Sequence, residues 1–257
     1  MQKSNVTYLA GLIGPDVLTA IENDSLNPVF MDLQACSAIE IRYDFFEPSE
    51  WQNLSERVRK IAPHALQIGT IRLQQDGGKF SDNKAIERLA LWKNILDANE
   101  VPEWLDIERN FLAQFAELKK MAAPRGVKLL VSEHNFVRIP NEMELKDYLN
   151  DLKRIKADGL KIAAMSNSES DCDRLYKFTK KNRKNFELFA AFGMGKTGKT
   201  SRLWSIKEGA NLTYGAINSV EAPGQIDVIT MRKALNNFEI LYSQNDLMAF
   251  LSKFGQF

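Results

Sequence analysis

The sequence has few of the residues that build disulfide frameworks or zinc sites. Its 257 residues include only two cysteines, Cys36 and Cys172, and two histidines, His64 and His134. Two isolated cysteines without metal-ligand spacing indicate reduced thiols, which are typical of a cytoplasmic protein. Two histidines without a cysteine cluster argue against a zinc site. We therefore expect chemistry that uses no metal ion.

The chain also lacks a strong net charge and a long apolar run. Its 34 basic and 33 acidic residues nearly cancel, so the composition favours neither a nucleic-acid partner nor an acidic membrane surface. No run approaches the roughly 18 apolar residues that predict a membrane span. The N-terminal run YLAGLIG resembles a signal peptide only faintly, since it is short and leads into Pro15 and Asp16. A buried first strand is the better interpretation.

No linker rich in proline, glycine or serine divides the chain, and no short internal repeat is visible. A chain of this length is within the range that α/β barrels reach undivided. Its 44% of hydrophobic residues suffices for a substantial core. We therefore expect residues 1–257 to form a single domain.

Short apolar runs alternate along the chain with segments of helical period. Two of those segments, 81–99 and 140–156, predict helices, and Ser81 and Asp82 are suitable caps for the first. The alternation predicts parallel βαβ units, and eight units match a (β/α)8 TIM barrel, although a doubly wound open sheet also fits. The eight predicted strands are 6–13, 38–46, 66–73, 104–108, 127–136, 159–166, 186–193 and 211–217.

Charged residues near the C-terminal ends of these strands favour the barrel. Central strands of an open parallel sheet are apolar on both faces. Here Glu40, Arg42 and Asp44 are two residues apart and share one face, as do Asp106 and Glu108. Because such groups cannot all be buried unpaired, a polar site at the C-terminal mouth of a barrel accounts for them best.

Lys161 and His134 are the candidates for catalysis. Lys161 lies inside the apolar run GLKIAAM, and desolvation there favours the neutral amine that attacks a carbonyl. The alternative is a lysine that extends from a strand end into water. His134 ends the preceding strand, where it would serve as a proton shuttle, or else as a core histidine bonded to a carbonyl. His64 precedes a strand, at the wrong end of a barrel for catalysis.

Other polar residues are candidates for support and substrate binding. Asp106 or Glu108 would accept a hydrogen bond from the His134 imidazole and fix its tautomer. Arg72 and Arg202 are suited to hold a carboxylate. Arg42 has the same capacity unless Glu40 neutralises it.

The segment GMGKTGKT, residues 193–200, matches the phosphate-binding pattern G-x-x-x-x-G-K-[ST]. A nucleotide hydrolase also needs an acidic strand end for Mg²⁺, and the next predicted strand, NLTYGAI, ends without an aspartate. The chain after Thr200 has room for only one more βα unit. We therefore interpret the segment as a mobile, glycine-bearing loop over a barrel mouth.

Seven short motifs occur in an order that resembles one enzyme family. They are EIRYD (40–44), TIRLQQDGG (70–78), LDIE (105–108), SEHNF (132–136), KIAAM (161–165), GMGKTGKTSR (193–202) and APGQ (222–225). The set resembles the type I 3-dehydroquinate dehydratases of the shikimate pathway, whose markers include E-x-R-x-D, S-x-H-[DN]-F and A-P-G-Q. The resemblance extends from about Val6 to the C-terminus.

The resemblance implies a homodimeric (β/α)8 barrel without a metal or organic cofactor. Lys161 would form an imine with the C3 ketone of 3-dehydroquinate. His134 would remove the C2 proton, help the C1 hydroxyl leave and assist imine hydrolysis, with Asp106 favoured over Glu108 as its partner. Arg202 and Gln225 would hold the substrate carboxylate. The remaining matched residues are Glu40, Arg42 and Arg72 on the ring-hydroxyl side and Met194 on an apolar wall.

Three positions depart from the family pattern. Asp76 stands where a glutamate is usual, Phe192 where a methionine is common, and Glu221 where a small residue is common. A shorter acid weakens contact with a substrate hydroxyl, and a carboxylate at 221 repels an anionic substrate. The alternatives are therefore another imine-forming lyase or aldolase with a changed substrate, or a non-catalytic barrel that binds a metabolite.

Overall fold

Eight parallel strands form one sheet that closes almost completely into a barrel. The computed structural model describes residues 6–218, 224–238, 241 and 243–255. Neighbouring strands follow chain order, and β1 pairs with both β2 and β8. The strands are β1 Tyr8–Ile13, β2 Ala38–Arg42, β3 Leu66–Thr70, β4 Trp104–Glu108, β5 Lys128–Asn135, β6 Gly159–Met165, β7 Leu188–Met194 and β8 Leu212–Tyr214.

The predicted (β/α)8 barrel is confirmed, and each strand lies within its predicted run except that β7 extends by one residue, to Met194. Several runs are longer than the strands they contain. The run 38–46 leaves the sheet after Arg42 and enters a 3₁₀ turn, Tyr43–Phe45. The polar residues that follow the strands thus lie on loops at the barrel mouth.

Helices cover the outside of the barrel. They are α1 Pro15–Asn23, α2 Val29–Ala35, α3 Trp51–Ile61, α4 Arg88–Leu96, α5 Phe115–Ala122, α6 Glu142–Ile155, α7 Cys172–Asn182, α8 Ser201–Lys207, α9 Val228–Asn236 and α10 Gln244–Ser252. Within the described ranges, no helix has the length and apolar character needed to span a bilayer.

The two predicted helices differ in how well they form. The segment 140–156 becomes α6, and Asn141 and Glu144 form a capping box at its start. The segment 81–99 is α-helical only from Arg88, because Asp82–Glu87 is a 3₁₀ helix. Ile86 is 79% exposed, so the buried face begins only at Arg88. Ser81 makes no side-chain capping bond, which corrects the predicted cap.

Strand alternation divides the core into two layers. On β2, Ile39 and Ile41 face the helices, while Ala38 and Glu40 face the barrel interior. The interior is apolar at the N-terminal ends of the strands, where Ile68 and Trp104 pack together. Toward the C-terminal ends of the strands, beyond this apolar layer, the barrel interior becomes polar. The buried polar side chains there are Glu40, Arg42, Thr70, Arg72, Asp106, Glu108, Ser132 and Lys161.

Asn211 closes the seam between β7 and β8. Its backbone N–H donates to the Phe189 carbonyl at 3.1 Å, and its side-chain oxygen accepts from the Phe189 N–H at 2.8 Å. Its side-chain amide also donates to the Glu187 carbonyl at 2.9 Å. One buried side chain therefore replaces ladder bonds that the short β8 does not supply.

We expect Asn211→Ala to destabilise the fold, because it leaves the buried Phe189 N–H of β7 and the part-buried Glu187 carbonyl before it without their partner. The loss should be about 2–4 kcal/mol in the free energy of unfolding. Urea denaturation measures it, and Asn237→Ala is a control whose side-chain amide donates to the exposed Lys233 carbonyl at the end of α9. Equal midpoints for the two variants would contradict the assigned role.

Candidate active site

Lys161 lies inside the barrel and is paired with two carboxylates. Its Nζ is 2.9 Å from Asp106 Oδ2 and 3.0 Å from Glu40 Oε2, and the residue is 4% exposed. The register of β6 against β5 and β7 fixes its inward direction. The alternative of a lysine extending into water is therefore wrong.

Asp106 is the centre of this buried network. Arg72 Nη2 lies 2.8 Å from Asp106 Oδ2, and Arg72 Nη1 donates to Ser132 Oγ at 2.8 Å. The Ser132 hydroxyl in turn donates to Asp106 Oδ1. Burial acts to raise the pKa of Asp106, but the charges of Arg72 and Lys161 outweigh it and hold that pKa below its usual range.

Glu108 performs a different task from Asp106. Its carboxylate binds Arg88 at the start of α4, lies 3.5 Å from Arg72 and accepts the Leu73 N–H at 3.1 Å. It therefore ties the helix α4 and the loop after β3 to β4. The sequence analysis did not identify Arg88 as part of the site, because an arginine on an amphipathic helix ordinarily faces water. In the structure Arg88 is almost fully buried.

His134 lies near the end of β5 and is half-buried. Burial lowers its pKa well below 6.5, and the positive charges of Arg72 and Lys161 lower it further. The imidazole is therefore neutral at physiological pH. Its Nδ1 is buried and has no hydrogen-bond partner among the described residues.

The expected pairing of His134 with an acid of β4 differs from the structure. Both carboxylate oxygens of Asp106 are used by Lys161, Arg72 and Ser132. Those of Glu108 bind Arg88 and the loop after β3. Asp106 therefore positions the lysine rather than the histidine, and acts on His134 only through its charge.

Arg42 and Glu40 also do not pair with each other. Arg42 binds Asp44 through two hydrogen bonds of 2.9 and 2.7 Å, and its guanidinium lies 4.1 Å from the Phe45 ring centroid. Glu40 instead binds Lys161. Of the three alternating charges of EIRYD, Arg42 and Asp44 thus pair with each other, whereas Glu40 pairs with Lys161.

Arg202 is held on the opposite side of the mouth, in α8. Its Nε donates to the Gly224 carbonyl at 3.0 Å, and its guanidinium lies 4.5 Å from the Phe192 ring centroid. Burial lowers the pKa of Arg202 to about 10, so the guanidinium remains charged at neutral pH. Gly224 has φ +83°, and a Cβ there would lie 2.2 Å from the Gly195 oxygen. Only glycine allows this contact between the two loops.

The segment GMGKTGKT is a compact turn rather than an open phosphate cradle. Gly193 and Met194 end β7, and Lys196–Gly198 forms a 3₁₀ turn. Gly198 lies against the backbone of Gly193, whose N–H donates to Ser201 Oγ at 2.7 Å. The interpretation of the segment as a loop over the barrel mouth agrees with this geometry.

These residues surround a cavity of about 320 Å³ at the C-terminal mouth. Asp106 and Glu108 lie beneath it, whereas the other expected site residues line it. Glu221 lies outside the described residues. A larger groove of about 560 Å³ lies outside the barrel between α6 and α7, away from these charges. The expected residues that line the cavity are Glu40, Arg42, Arg72, Asp76, His134, Lys161, Phe192, Met194, Arg202 and Gln225.

Asp76 and Tyr214 complete the lining of the cavity. Asp76 ends a 3₁₀ turn after β3 and is half-buried; burial and the charge of Glu108 raise its pKa to about 6. Tyr214, at the end of β8, also lines the cavity, and the sequence prediction missed it. An aromatic residue in the run NLTYGAI is typical of a core strand, so no sequence signal marked it.

The fold places the chain among the (β/α)8-barrel enzymes with a charged C-terminal mouth. A solved type I 3-dehydroquinate dehydratase from Clostridium difficile superposes with a TM-score of 0.79 at 24% identity, over 91% of this chain and 93% of that chain. At this identity the similarity establishes the fold.

Sequence comparison defines the family. A family model described as type I 3-dehydroquinase matches residues 17–242. The 3-dehydroquinate dehydratase of Coxiella burnetii is 30% identical over 233 residues, covering 87% of this chain and 94% of its own. That of Thermodesulfovibrio yellowstonii is 28% identical over 212 residues, covering 82% and 89%. The chain belongs to the type I 3-dehydroquinase family, a family of hydro-lyases, and the resemblance of its seven motifs is confirmed.

We expect Asp106→Asn to destabilise the folded protein, because Arg72 and Lys161 would lose a buried counter-charge. The decrease in the free energy of unfolding should be about 3 kcal/mol or more at pH 7. Urea denaturation measures it. The control is Asp147→Asn on the exposed face of α6, which should change stability by less than about 0.5 kcal/mol. An unchanged free energy of unfolding for Asp106→Asn would show that the network does not depend on this charge.

Proposed function

We propose that this chain dehydrates 3-dehydroquinate to 3-dehydroshikimate through an imine on Lys161. The observation that carries the proposal is the placement of Lys161, His134 and Arg202 around one cavity of about 320 Å³. A nucleophile, a neutral base and a cation for a carboxylate are thereby within reach of one small cyclic molecule.

The covalent step begins when the Lys161 nitrogen attacks the C3 carbonyl carbon. The ammonium must first lose a proton, and Glu40 at 3.0 Å and the neutral His134 are acceptors that face the same cavity. The carbinolamine then loses the former ketone oxygen as water and becomes a protonated imine. The cationic nitrogen withdraws electrons and acidifies the C2 proton.

His134 is the base in this proposal because its pKa is lowered well below 6.5, which leaves a free imidazole nitrogen at neutral pH. It takes the C2 proton, and the electron pair moves to form the new double bond as the C1 hydroxyl departs. The same proton leaves with that hydroxyl as water. Hydrolysis of the imine consumes the water released earlier, so one water is produced overall.

Substrate binding is divided between the two sides of the mouth. Arg202 remains charged and is free of ion pairs within the described residues, so it suits the substrate carboxylate, with Gln225 beside it. The charges of Arg42 and Arg72 are already committed to Asp44 and Asp106. Arg42 and Arg72 can therefore donate hydrogen bonds to ring hydroxyls without adding unpaired positive charge to the cavity. The homodimer remains a prediction of the resemblance, and the cytoplasmic location and the absence of a nucleic-acid partner remain predictions of the composition.

Reductive trapping tests the proposal. Borohydride added with 3-dehydroquinate should leave a stable adduct on Lys161, located by mass spectrometry of peptides, and enone absorbance should report turnover. Lys161→Ala should give neither adduct nor turnover. Lys128→Ala is a matched control, since this lysine pairs with the exposed Glu187. The proposal would be wrong if Lys161→Ala turned over, or if the natural protein gave neither the borohydride adduct nor the enone absorbance.

The activity should change little with pH until well below the usual range of histidine. A group with a lowered folded pKa stays neutral as the pH falls, so kcat/KM should remain level from about pH 8 to about pH 6.5. Rate measurements across this range check it. An ordinary histidine base would already lose half of its activity near pH 6.5.

Two variants make this pH experiment specific. Asp76, with a pKa of about 6, titrates close to the same region, so the profile is repeated with Asp76→Asn. His134→Ala should still form the trapped imine but turn over at least about 100-fold more slowly. Near-normal turnover by His134→Ala would remove the histidine from the mechanism.

A further inference from the structure

Tyr214 brings an aromatic ring against the nitrogen of Lys161. The Lys161 Nζ lies 4.1 Å from the Tyr214 ring centroid. The Tyr214 ring packs in turn against Phe192, with centroids 5.9 Å apart and an angle of 49° between the rings. Phe192 carries the Arg202 guanidinium at 4.5 Å. Two aromatic rings thus lie between Lys161 and Arg202.

The Tyr214 ring attracts the charge of Lys161 without a hydrogen bond, whereas Glu40 and Asp106 accept hydrogen bonds from its N–H groups. An ammonium group has three N–H donors, enough to serve Glu40 and Asp106 together. A protonated imine keeps its positive charge but has only one N–H. Its hydrogen bonds to the carboxylates are therefore reduced, whereas attraction to the negative face of a ring depends on charge alone. The contact with the ring therefore persists in full through imine formation, while the carboxylates keep their charge attraction and lose hydrogen bonds.

The hydroxyl of Tyr214 is a second feature. Tyr214 is 6% exposed, and its buried hydroxyl lies near Glu40 but makes no hydrogen bond of full geometry among the described residues. Burial raises its pKa well above 10, and the nearby Glu40 and Asp106 raise it further. The hydroxyl therefore keeps its proton and can donate it. Because an unpaired buried hydroxyl is costly, this group suits a polar atom of a bound ligand.

We propose that Tyr214 positions both partners of the covalent step. Its ring face holds the cationic nitrogen of Lys161 before and after imine formation, and its hydroxyl binds an oxygen of the cyclic keto acid. The inference rests on the proposed function, because it requires a carbonyl substrate on Lys161. The inference adds a residue of β8 to the site. It also means that the packed Tyr214 and Phe192 rings set the distance between the Lys161 nitrogen and Arg202.

Two substitutions separate the ring from the hydroxyl. Tyr214→Phe removes the hydroxyl alone, and KM should rise about fivefold while kcat and the rate of borohydride trapping at saturating substrate stay within about twofold. Tyr214→Leu also removes the ring, and the trapping rate at saturating substrate should fall about tenfold. Phenylalanine should restore the trapping rate, and a fall in trapping by Tyr214→Leu without a matching fall in its unfolding temperature separates the role of the ring from a merely structural one.

Tyr148→Phe is the matched control. Tyr148 is also buried, but it lies on α6 outside the barrel, and its hydroxyl meets only backbone there: it donates to the Val131 carbonyl at 2.7 Å and lies 3.4 Å from the Lys161 carbonyl, away from the Lys161 amine. It should alter stability without altering KM or trapping. Thermal unfolding of all variants, with and without substrate, shows whether each is folded.

The outcomes distinguish this inference from the proposed function. If the natural protein neither traps nor converts 3-dehydroquinate, the proposed function fails first. If the natural protein does both, and folded Tyr214→Leu traps as fast as the natural protein, the ring has no part in holding the cation. If Tyr214→Phe leaves KM unchanged, the hydroxyl does not bind substrate. Either of the last two results overturns the corresponding half of the inference.

Discussion

Asp106 is the residue on which the interior of the barrel depends. Its two carboxylate oxygens hold Lys161 of β6, Ser132 of β5 and Arg72 after β3, so one side chain of β4 joins the polar ends of its neighbours. Such buried charges add little stability compared with an apolar core, but removing one leaves its partners uncompensated. The network therefore fixes positions more than it stabilises the fold. Within this linked network, three carboxylates, Glu40, Asp106 and Glu108, balance three cations, Lys161, Arg72 and Arg88.

The same charges determine what His134 does. The imidazole is surrounded by more positive than negative charge, because Arg72, Lys161 and Arg42 together outweigh Asp106. Protonation of His134 would add a further cation to this group, so the neutral form is favoured. One arrangement thus keeps the lysine anchored by carboxylates and the histidine ready to take a proton. Positioning and pKa adjustment have a common electrostatic cause.

Sequence reasoning predicted the barrel well and the partners inside it poorly. Period-two spacing places Glu40 and Arg42 on one face, and the order of apolar runs predicts eight parallel strands. Which acid binds which base depends on side-chain rotamers and on distances between strands far apart in sequence. The pairing of Asp106 with Lys161 rather than His134 is of this kind. Tyr214 was not predicted as a site residue for another reason, because aromatic residues in strands are common in cores.

The glycine pattern of residues 193–200 shows how one local geometry serves unrelated chemistry. Glycines permit close backbone approach, and a phosphate-binding loop uses that freedom to bring N–H groups to a ligand. Here the freedom brings backbone to backbone: Gly198 lies on Gly193, and Gly224 lies on Gly195. The second contact carries the Gly224 carbonyl to Arg202 and so orients the guanidinium over the cavity. The meaning of the pattern is therefore decided by the segment that packs against it, which in this barrel is the loop after β8.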